Sequence, residues 1–490
     1  MSRTSLAVRT DGLADAGLRE QRVVSVRFFN GHVHRLALLA LAEAALVVLC
    51  VYAAILVRFH GFSATFERFE STSGTIWPRA LLVAAVFGLS LAALGLYRLH
   101  HRARFAGVLV RLLMAIALAE VALALIFYAL PSLFVGRGVM LLIGGFAFWG
   151  FGLTRFLFTN LVDEEIFKRR VLVWGSGQRA ATIGKRLRRR SDQRGFRIVA
   201  YIRTPGDAYG VEGALSVHAT PELLRIALRH KVEEIVIAMD DRRSGFPTAE
   251  LLECRLRGIQ VTELLTFIER ESGRVSVELV HPSWLIFAHG FRCDFFRLAS
   301  KRVFDVVVSL AMLTVMLPVA ALAALAIHLE DRGPIFHRQL RVGQNGRRFT
   351  MFKFRSMRVD AEKHGEARWA AANDPRITRV GAVIRRLRID ELPQLVNVLL
   401  GQMSFVGPRP ERPVFVDSLV RAIPFYGQRH SVKPGITGWA QVRYGYGASQ
   451  QDAREKLEYD LYYVKHHTLA FDLMVLLQTV EIVLFRIGSR

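Results

Sequence analysis

The chain has 490 residues, 52% of them apolar and 33 of them Phe, with 66 Lys and Arg against 42 Asp and Glu for a formal charge of +24. That length requires two or more domains, and the bunching of the apolar residues excludes an ordinary soluble enzyme. Cys50, Cys254 and Cys293 show neither metal spacing nor a CxxC pair, which argues against a disulfide or zinc framework.

Residues 1–33 are polar and basic and lack a small-residue cleavage pattern, so they read as an uncleaved cytoplasmic tail. Four apolar stretches follow at 36–57, 80–96, 112–130 and 139–158, and together they predict a four-helix transmembrane domain over 34–160. Arg22, Arg27 and Arg35 precede the first stretch. Arg98, His101, Arg102, Arg104 and Arg111 separate the second from the third, and Lys168, Arg169 and Arg170 follow the fourth. The loops 58–79 and 131–138 are less basic, so both ends of the bundle are expected in the cytoplasm. Arg155 lies inside the fourth stretch and is expected to snorkel to the cytoplasmic surface. A helical bundle buried in a soluble protein is the bland alternative.

Residues 165–285 alternate strand and helix: VLVWGSG (171–177), ATIGKRLRRR (181–190), FRIVAYI (196–202), PELLRIALRH (221–230), VEEIVIAMD (232–240) and LLECRLRGIQV (251–261). This is the pattern of a parallel α/β domain of Rossmann type, on the cytoplasmic side. The Gly175-x-Gly177 turn can aim helix N–H groups at a phosphate. However, Tyr201, Ile202 and Arg203 stand where an acid would hold a ribose, so a structural or regulatory domain, with sensing of some nucleotide as one form of it, is the favoured reading over a bound NAD.

Lys301 and Arg302 open another apolar segment, 303–327, which carries Asp305 near its start and Pro318 near its middle. Proline removes a helical hydrogen bond. Either the segment is a fifth, kinked span, or it is a broken, re-entrant helix. Charge favours the second, because Arg332, Arg338, Arg341, Arg347 and Arg348 follow it, and both ends then prefer the cytoplasm. Asp305 is costly in lipid unless paired or interfacial, and Arg302 one turn away is its expected partner.

Five motifs come next in close order: GPIFHRQLRVGQNGRRF (333–349), FKFRSM (352–357), RRLRIDELPQLVNVLLGQMSFVGPRPERP (385–413), VKPGITGWAQV (432–442) and LEYDLYYVKHHTLAFDLMVLLQTVEIVLF (457–485). With the KR..D start and the proline-interrupted helix, this region resembles the bacterial sugar transferases, the polyprenyl-phosphate phosphohexosyl-1-phosphate transferases that initiate exopolysaccharide, capsule or O-antigen synthesis. The similarity is strongest over 299–486. The whole architecture resembles the large form of the family, with four spans, a Rossmann-like middle domain, and a C-terminal monotopic α/β catalytic domain over 299–490 anchored by a re-entrant membrane helix.

The resemblance implies transfer of a sugar-1-phosphate, glucose or galactose in many large members, from a UDP-sugar to undecaprenyl phosphate at the bacterial inner membrane, with UMP released. It implies Asp390 and Glu391 as the catalytic acids, the aspartate a nucleophile and Mg²⁺ held by the pair, and Arg409 as a phosphate ligand. A carboxylate nucleophile, a divalent cation and fixed arginines suit a reaction that exchanges one diphosphate for another. Direct attack by the lipid phosphate is the other route. By residue chemistry alone, Asp390 at a helix start is equally an N-cap, with Glu391 favouring the helix dipole.

Arg409 stands between two prolines, which stiffen a guanidinium suited to phosphate; an ion pair with Glu411 is its structural alternative. Lys353 and Arg355 alternate with Phe352 and Phe354, a strand with a basic face for phosphate. Arg338 and Arg341 are candidates for the lipid phosphate. Gly435, Gly438 and Trp439 read first as a turn with a core or interfacial indole, and only second as a sugar contact. Tyr459, Tyr462, Tyr463 and Lys465 suit an interfacial helix, and 468–486 a surface-lying one with Asp472, Gln478 and Glu481 as polar residues. His466 and His467 lack metal-type neighbours. The four-span and middle domains offer surfaces for a homo-oligomer. A nucleotide-binding membrane scaffold without activity is the rival of a different class. Nucleic acid is excluded as a partner, because the basic residues are tied to membrane flanks and phosphate motifs.

Overall fold

The computed structural model of the chain describes residues 31–59, 74–97, 105–161, 168–188, 192–193, 195–204, 207, 211–212, 214–216, 222–241, 245–280, 290–291, 294–359, 375–445, 447 and 449–485. Nearly all of the expected tail 1–33, the basic loop 98–104 and most of the loop 58–79 lie outside these residues. The chain divides into two compact units, one up to Phe267 and one from Ile268. Residues 268–280, expected in the middle domain, belong to the second.

The first unit begins with four helices, α1 (Gly31–Phe59), α2 (Ile76–Ala93), α3 (Phe105–Ala129) and α4 (Arg137–Leu161). Helix α1 packs on α2 and α4, and α3 on α2 and α4, closing a four-membered ring. Val51, Ala54, Phe87, Leu112, Leu123, Ile143 and Phe151 fill its centre, while Leu49, Leu89, Leu125, Leu141 and Trp149 point outward and stay exposed. Helices apolar on both inner and outer faces suit lipid, not water. These four and one later helix are long and apolar enough to cross a membrane.

Arg155 has partners within the bundle. Its guanidinium donates to Glu43 at 3.1 Å and to the Leu96 carbonyl at 2.8 Å, and lies 5.3 Å from the Tyr97 ring centre. An acid on a neighbouring helix offsets the desolvation cost of a guanidinium among apolar helices. At the far end, Arg79 bonds the Gly74 and Ser132 carbonyls. The two sets of contacts tie together the ends expected of an up-down-up-down bundle.

The same unit holds a five-stranded parallel sheet in the order β3-β2-β1-β4-β5: β1 (Arg169–Trp174), β2 (Phe196–Arg203), β3 (Leu215–Ser216), β4 (Glu234–Ile237) and β5 (Gln260–Glu263). Helices α5 (Gln178–Arg186), α6 (Glu222–Arg229) and α7 (Thr248–Leu256) alternate with the strands, and α8 (Leu264–Ser272) follows β5. Strands buried on both faces need continuous apolar runs, which Val171, Leu172 and Val173 and Ile235, Val236 and Ile237 provide. β3 has two residues and left no apolar run to read.

The second unit contains α9 (Phe295–Asp331), the hairpin β6 (Phe336–Val342) and β7 (Arg348–Phe354), then α10 (Arg379–Arg386), α11 (Gln394–Leu399), β8 (Ser404–Val406) and α12 (Pro413–Ala422). β9 (Gly435–Thr437), α13 (Trp439–Arg443), α14 (Gln450–His466) and α15 (Leu469–Phe485) complete it. Helix α9 is 37 residues long and has Pro318 inside it. Strands β8 and β9 pair in parallel, and this is what joins the VGPRP and KPGITGW motifs. A Cβ on Gly407, Gly435 or Gly438 would run into backbone of the opposing loop, so the approach requires glycine at all three.

Trp439 is a core indole, not an interfacial one. It is buried, donates to the Gly273 carbonyl at 2.7 Å and packs edge-on against Phe471. The interfacial reading of α14 also fails. Tyr459, Tyr463 and Lys465 are buried, and Lys465 pairs with Glu269 at 2.8 Å. On α15, Asp472 is buried and takes Lys301 and Tyr463 as partners, so the residue expected to meet water instead ties α15 to α9.

Candidate functional site

The candidate acids stand on a short 3₁₀ turn, Ile389–Glu391, that links α10 to α11. Arg388 enters it with φ 59°, a left-handed conformation that swings the chain sharply before Asp390. Asp390 is not an N-cap. The caps of the turn and of α11 are Arg388 and Pro393, and neither helix start takes a side-chain hydrogen bond. Asp390 is only 8% exposed, yet its carboxylate has no hydrogen-bond partner among the described residues. Burial, and then the neighbouring Glu391 charge, push its carboxyl above the usual range, against Lys353, Arg385 and Arg388.

Glu391 has the opposite environment. Lys353 Nζ lies 3.2 Å from its Oε1, Arg409 Nη2 3.6 Å and Arg388 Nη1 3.8 Å. Burial alone would raise this carboxyl, but Lys353, Arg409 and Arg388 together hold it down at about 2. Burial lowers Lys353 despite Glu391 beside it. Two adjacent acids are thus shifted in opposite directions, because one contacts three cations and the other is buried without a hydrogen bond.

Lys353, Arg409, Arg341 and Gln394 line a small recess together with Met351, Pro410 and Gly435. Arg409 does not pair with Glu411 in the way its local sequence suggested: its carboxylate contact is Glu391, and Arg341 lies 3.7 Å from Glu411. Arg341 also donates to the Pro410 carbonyl at 3.0 Å, bracing the loop that carries Arg409. Two expected phosphate ligands sit elsewhere. Arg355 leaves the end of β7 and pairs with Asp331 at the end of α9. Arg338 is exposed and stands 5.9 Å from the Phe352 ring centre.

Asp305 takes its hydrogen bonds from Ser404 Oγ at 3.0 Å and Phe405 N at 3.1 Å, not from Arg302. Arg302 instead donates to the Val398 and Leu399 carbonyls, each at 2.6 Å, closing the C-terminal end of α11. Lys301 reaches Asp472, Tyr463 and the Val406 carbonyl. The three polar residues at the start of α9 are therefore anchors: Arg302 to α11, Asp305 to β8, and Lys301 to β8, α14 and α15.

Three supports of the site escaped sequence reasoning. Asn397 is fully buried: its Nδ2 donates to Thr350 O at 2.8 Å and its Oδ1 accepts from Phe352 N at 3.0 Å, clasping α11 to the strand that carries Lys353. Gln394 lines the recess. Arg429 bonds the buried Asp460 at 2.7 Å and the Arg409 carbonyl at 3.0 Å. Asn397 lies inside a motif that was read, but its role depends on which strand passes over it, and nothing local pairs Arg429 with Asp460.

Mg²⁺ is normally held by one or two carboxylates together with substrate phosphates. Among the described residues no three of His, Cys, Asp and Glu converge as a metal cage. The donor set here fits that looser arrangement: both oxygens of Asp390 are unbonded, and all three cations contact only Oε1 of Glu391.

Residues 296–486 match the family model described as bacterial sugar transferase, and residues 92–244 match one described as CoA-binding domain. Over 258 residues the chain is 41% identical to the UDP-N-acetylgalactosamine-undecaprenyl-phosphate N-acetylgalactosaminephosphotransferase of Aeromonas hydrophila, covering 51% of this chain and 58% of that protein. It is 34% identical over 320 residues to the undecaprenyl-phosphate glucose phosphotransferase of Komagataeibacter xylinus, 64% of this chain and 58% of that one. The chain thus spans less than two thirds of the length of these two relatives. It is 42% identical over 191 residues to the exopolysaccharide production protein PSS of Rhizobium leguminosarum bv. phaseoli, 37% of this chain and 94% of that protein.

Proposed function

The chain belongs to the bacterial sugar transferase family, and on that premise we propose that it transfers a hexose-1-phosphate from a UDP-sugar to undecaprenyl phosphate, releasing UMP. The observation that carries this reading is the split pair: a buried, unbonded Asp390 next to a Glu391 ringed by three cations.

In the first step an Asp390 carboxylate oxygen attacks the β-phosphorus of the UDP-sugar. The bond from that phosphorus to the bridging oxygen breaks, and UMP leaves with the electron pair. In the second step an oxygen of undecaprenyl phosphate attacks the aspartyl phosphosugar and returns Asp390 as carboxylate. Fixed cations are worth most where negative charge develops. Arg409 has a partly exposed guanidinium and is placed to receive the diphosphate, while buried Lys353 holds Glu391. Asp390 and the free Oε2 of Glu391 would hold Mg²⁺, which when bound supplies Lewis-acid stabilisation of phosphoryl oxygens.

The substrate's lipid end fits a membrane setting. Helices α1–α4 are proposed as four spans with cytoplasmic ends, and α9 as a re-entrant helix. Arg302 and Asp305 on its first half bind backbone at 398–405, and Glu330 on its second half accepts from Arg379 N and Val380 N. A straight helix would separate Arg302 from Glu330 by about 42 Å. A crossing helix would put these ends on opposite sides of a hydrocarbon core of about 30 Å, yet both ends hold the same catalytic unit.

The test is UMP release by purified protein in nanodiscs with undecaprenyl phosphate, Mg²⁺ and UDP-glucose, UDP-galactose and UDP-N-acetylgalactosamine. Lipid-dependent UMP from one donor, lost in Asp390→Asn, is expected. A burst of UMP without lipid supports the covalent route; its absence, with full turnover once lipid is added, favours direct transfer. No UMP from any donor by folded protein would sink the activity.

A further inference from the structure

The middle domain matches a description that implies coenzyme A, and its sheet order is the one that seats dinucleotides at the turn after β1. In such folds the phosphate lies on the N–H groups that open the following helix. We infer that in this chain the turn is sealed by two of its own carboxylates, Asp207 and Asp240, and binds no coenzyme A or dinucleotide phosphate.

Three N–H groups at this turn, those of Ser176, Gln178 and Arg179, are already donated inward. Gln178 N donates to Asp240 Oδ2 at 2.9 Å, and Arg179 N to Asp240 Oδ1 at 2.8 Å. Asp240 therefore caps α5 with both oxygens, from beyond the end of β4. Ser176 N donates to Asp207 Oδ2 at 2.8 Å. The same oxygen accepts Thr204 N at 3.0 Å and Thr204 Oγ at 2.8 Å, and Asp207 Oδ1 takes Asp240 N at 3.3 Å. The two acids thus fasten the ends of β1, β2 and β4 to α5.

The glycines have an internal explanation too. Gly175 has φ +122°, and a Cβ there would strike the Ala238–Met239 backbone. A Cβ on Gly177 would overlap the Asp240 carboxylate. In a phosphate cradle the second glycine makes room for a ligand; here that room is filled by a side chain from residue 240. An entering phosphate would have to break both helix-opening bonds and then sit against two like charges. The residues present do not fit the group that the family description implies.

Hydrogen exchange on the full chain in nanodiscs tests this, with coenzyme A or NAD at millimolar concentration. Amides at 175–186 are expected to exchange at the same rate with and without either compound. Protection confined to the catalytic unit is consistent with the inference, since it leaves the turn untouched. Protection of 175–186 in the wild-type chain overturns it. In Asp240→Ala, loss of the cap is expected to speed exchange at the first turn of α5 about tenfold; an unchanged rate there also overturns it. Should the variant not fold, the wild-type ligand arms still decide.

Discussion

Replacing Lys353 with Met removes the nearest of three cations from Glu391 and leaves the carboxylate in place. At an effective dielectric of about 20, unit charges at these separations attract by roughly 4–5 kcal/mol each. Each attraction exceeds the roughly 3 kcal/mol by which Glu391 is held below its ordinary value, so losing one moves it from about 2 to above that value. In the wild type the folded value lies below the ordinary 4.5, so Glu391 contributes stability that is complete above pH 4.5 and lost as pH falls through 2. That contribution is about 3 kcal/mol. In Lys353→Met the folded value is raised instead, so the variant is penalised near neutral pH and relieved once Glu391 is protonated. Thermal unfolding in detergent at about pH 7 and about pH 4.5 should show the wild-type advantage shrinking with acid. Adding Glu391→Gln should recover most of the neutral-pH loss without restoring UMP release. An equal loss at both pH values, or no relief from the second substitution, would refute the reasoning.

Three further outcomes are expected. On a background lacking native cysteines, single cysteines at Leu298, in the first turn of α9, and at Arg332, just past its end, should both react with a membrane-impermeant reagent from the cytoplasmic side; labelling of only one means a crossing helix. Asp305→Ala leaves the Ser404 hydroxyl and Phe405 N–H buried without an acceptor, so unfolding should cost about 2–4 kcal/mol less than in the wild type, and a smaller change would mean that water replaces the carboxylate. Trp439→Phe loses the bond to Gly273 and should lower stability by about 1 kcal/mol with the KM for the sugar nucleotide unchanged; a raised KM would make the indole a substrate contact.

What could be read from the sequence was what is local. The apolar runs gave the four bundle helices and α9, and the strand-helix alternation of 165–261 gave all but the two-residue β3. The acids and the GPRP arginine came from motifs, and Asp390, Glu391, Lys353 and Arg409 do meet. The misreadings share a cause. Arg302 and Asp305 are one helical turn apart, so local spacing paired them, but they bind partners about a hundred residues away. Asp472 looked like the wet side of a surface helix, whereas Lys301, 171 residues distant, makes it a core residue. Glu43, the partner of Arg155, is 112 positions off and could not be read locally. Spacing along one element says which residues share a face, but not which element that face meets.

The site owes its form to α11, a helix of six residues. Its N-terminal end follows directly from Asp390 and Glu391, and its last carbonyls are held by Arg302 from α9. Between them, Asn397 grips the strand that bears Lys353. A helix this short spans about 9 Å, so one rigid piece sets both the gap between Glu391 and its lysine and the height of the acids above the apolar helix. The proposed transfer between a water-soluble donor and a lipid phosphate would require that height to be fixed, because such an acceptor would stay at the surface. A loop would let the acids drift relative to both reactants, and small errors in placement cost orders of magnitude in rate. On the proposed function the buried polar anchors of α9 have a reason to persist despite their desolvation cost: they couple the position of α9 to that of Asp390.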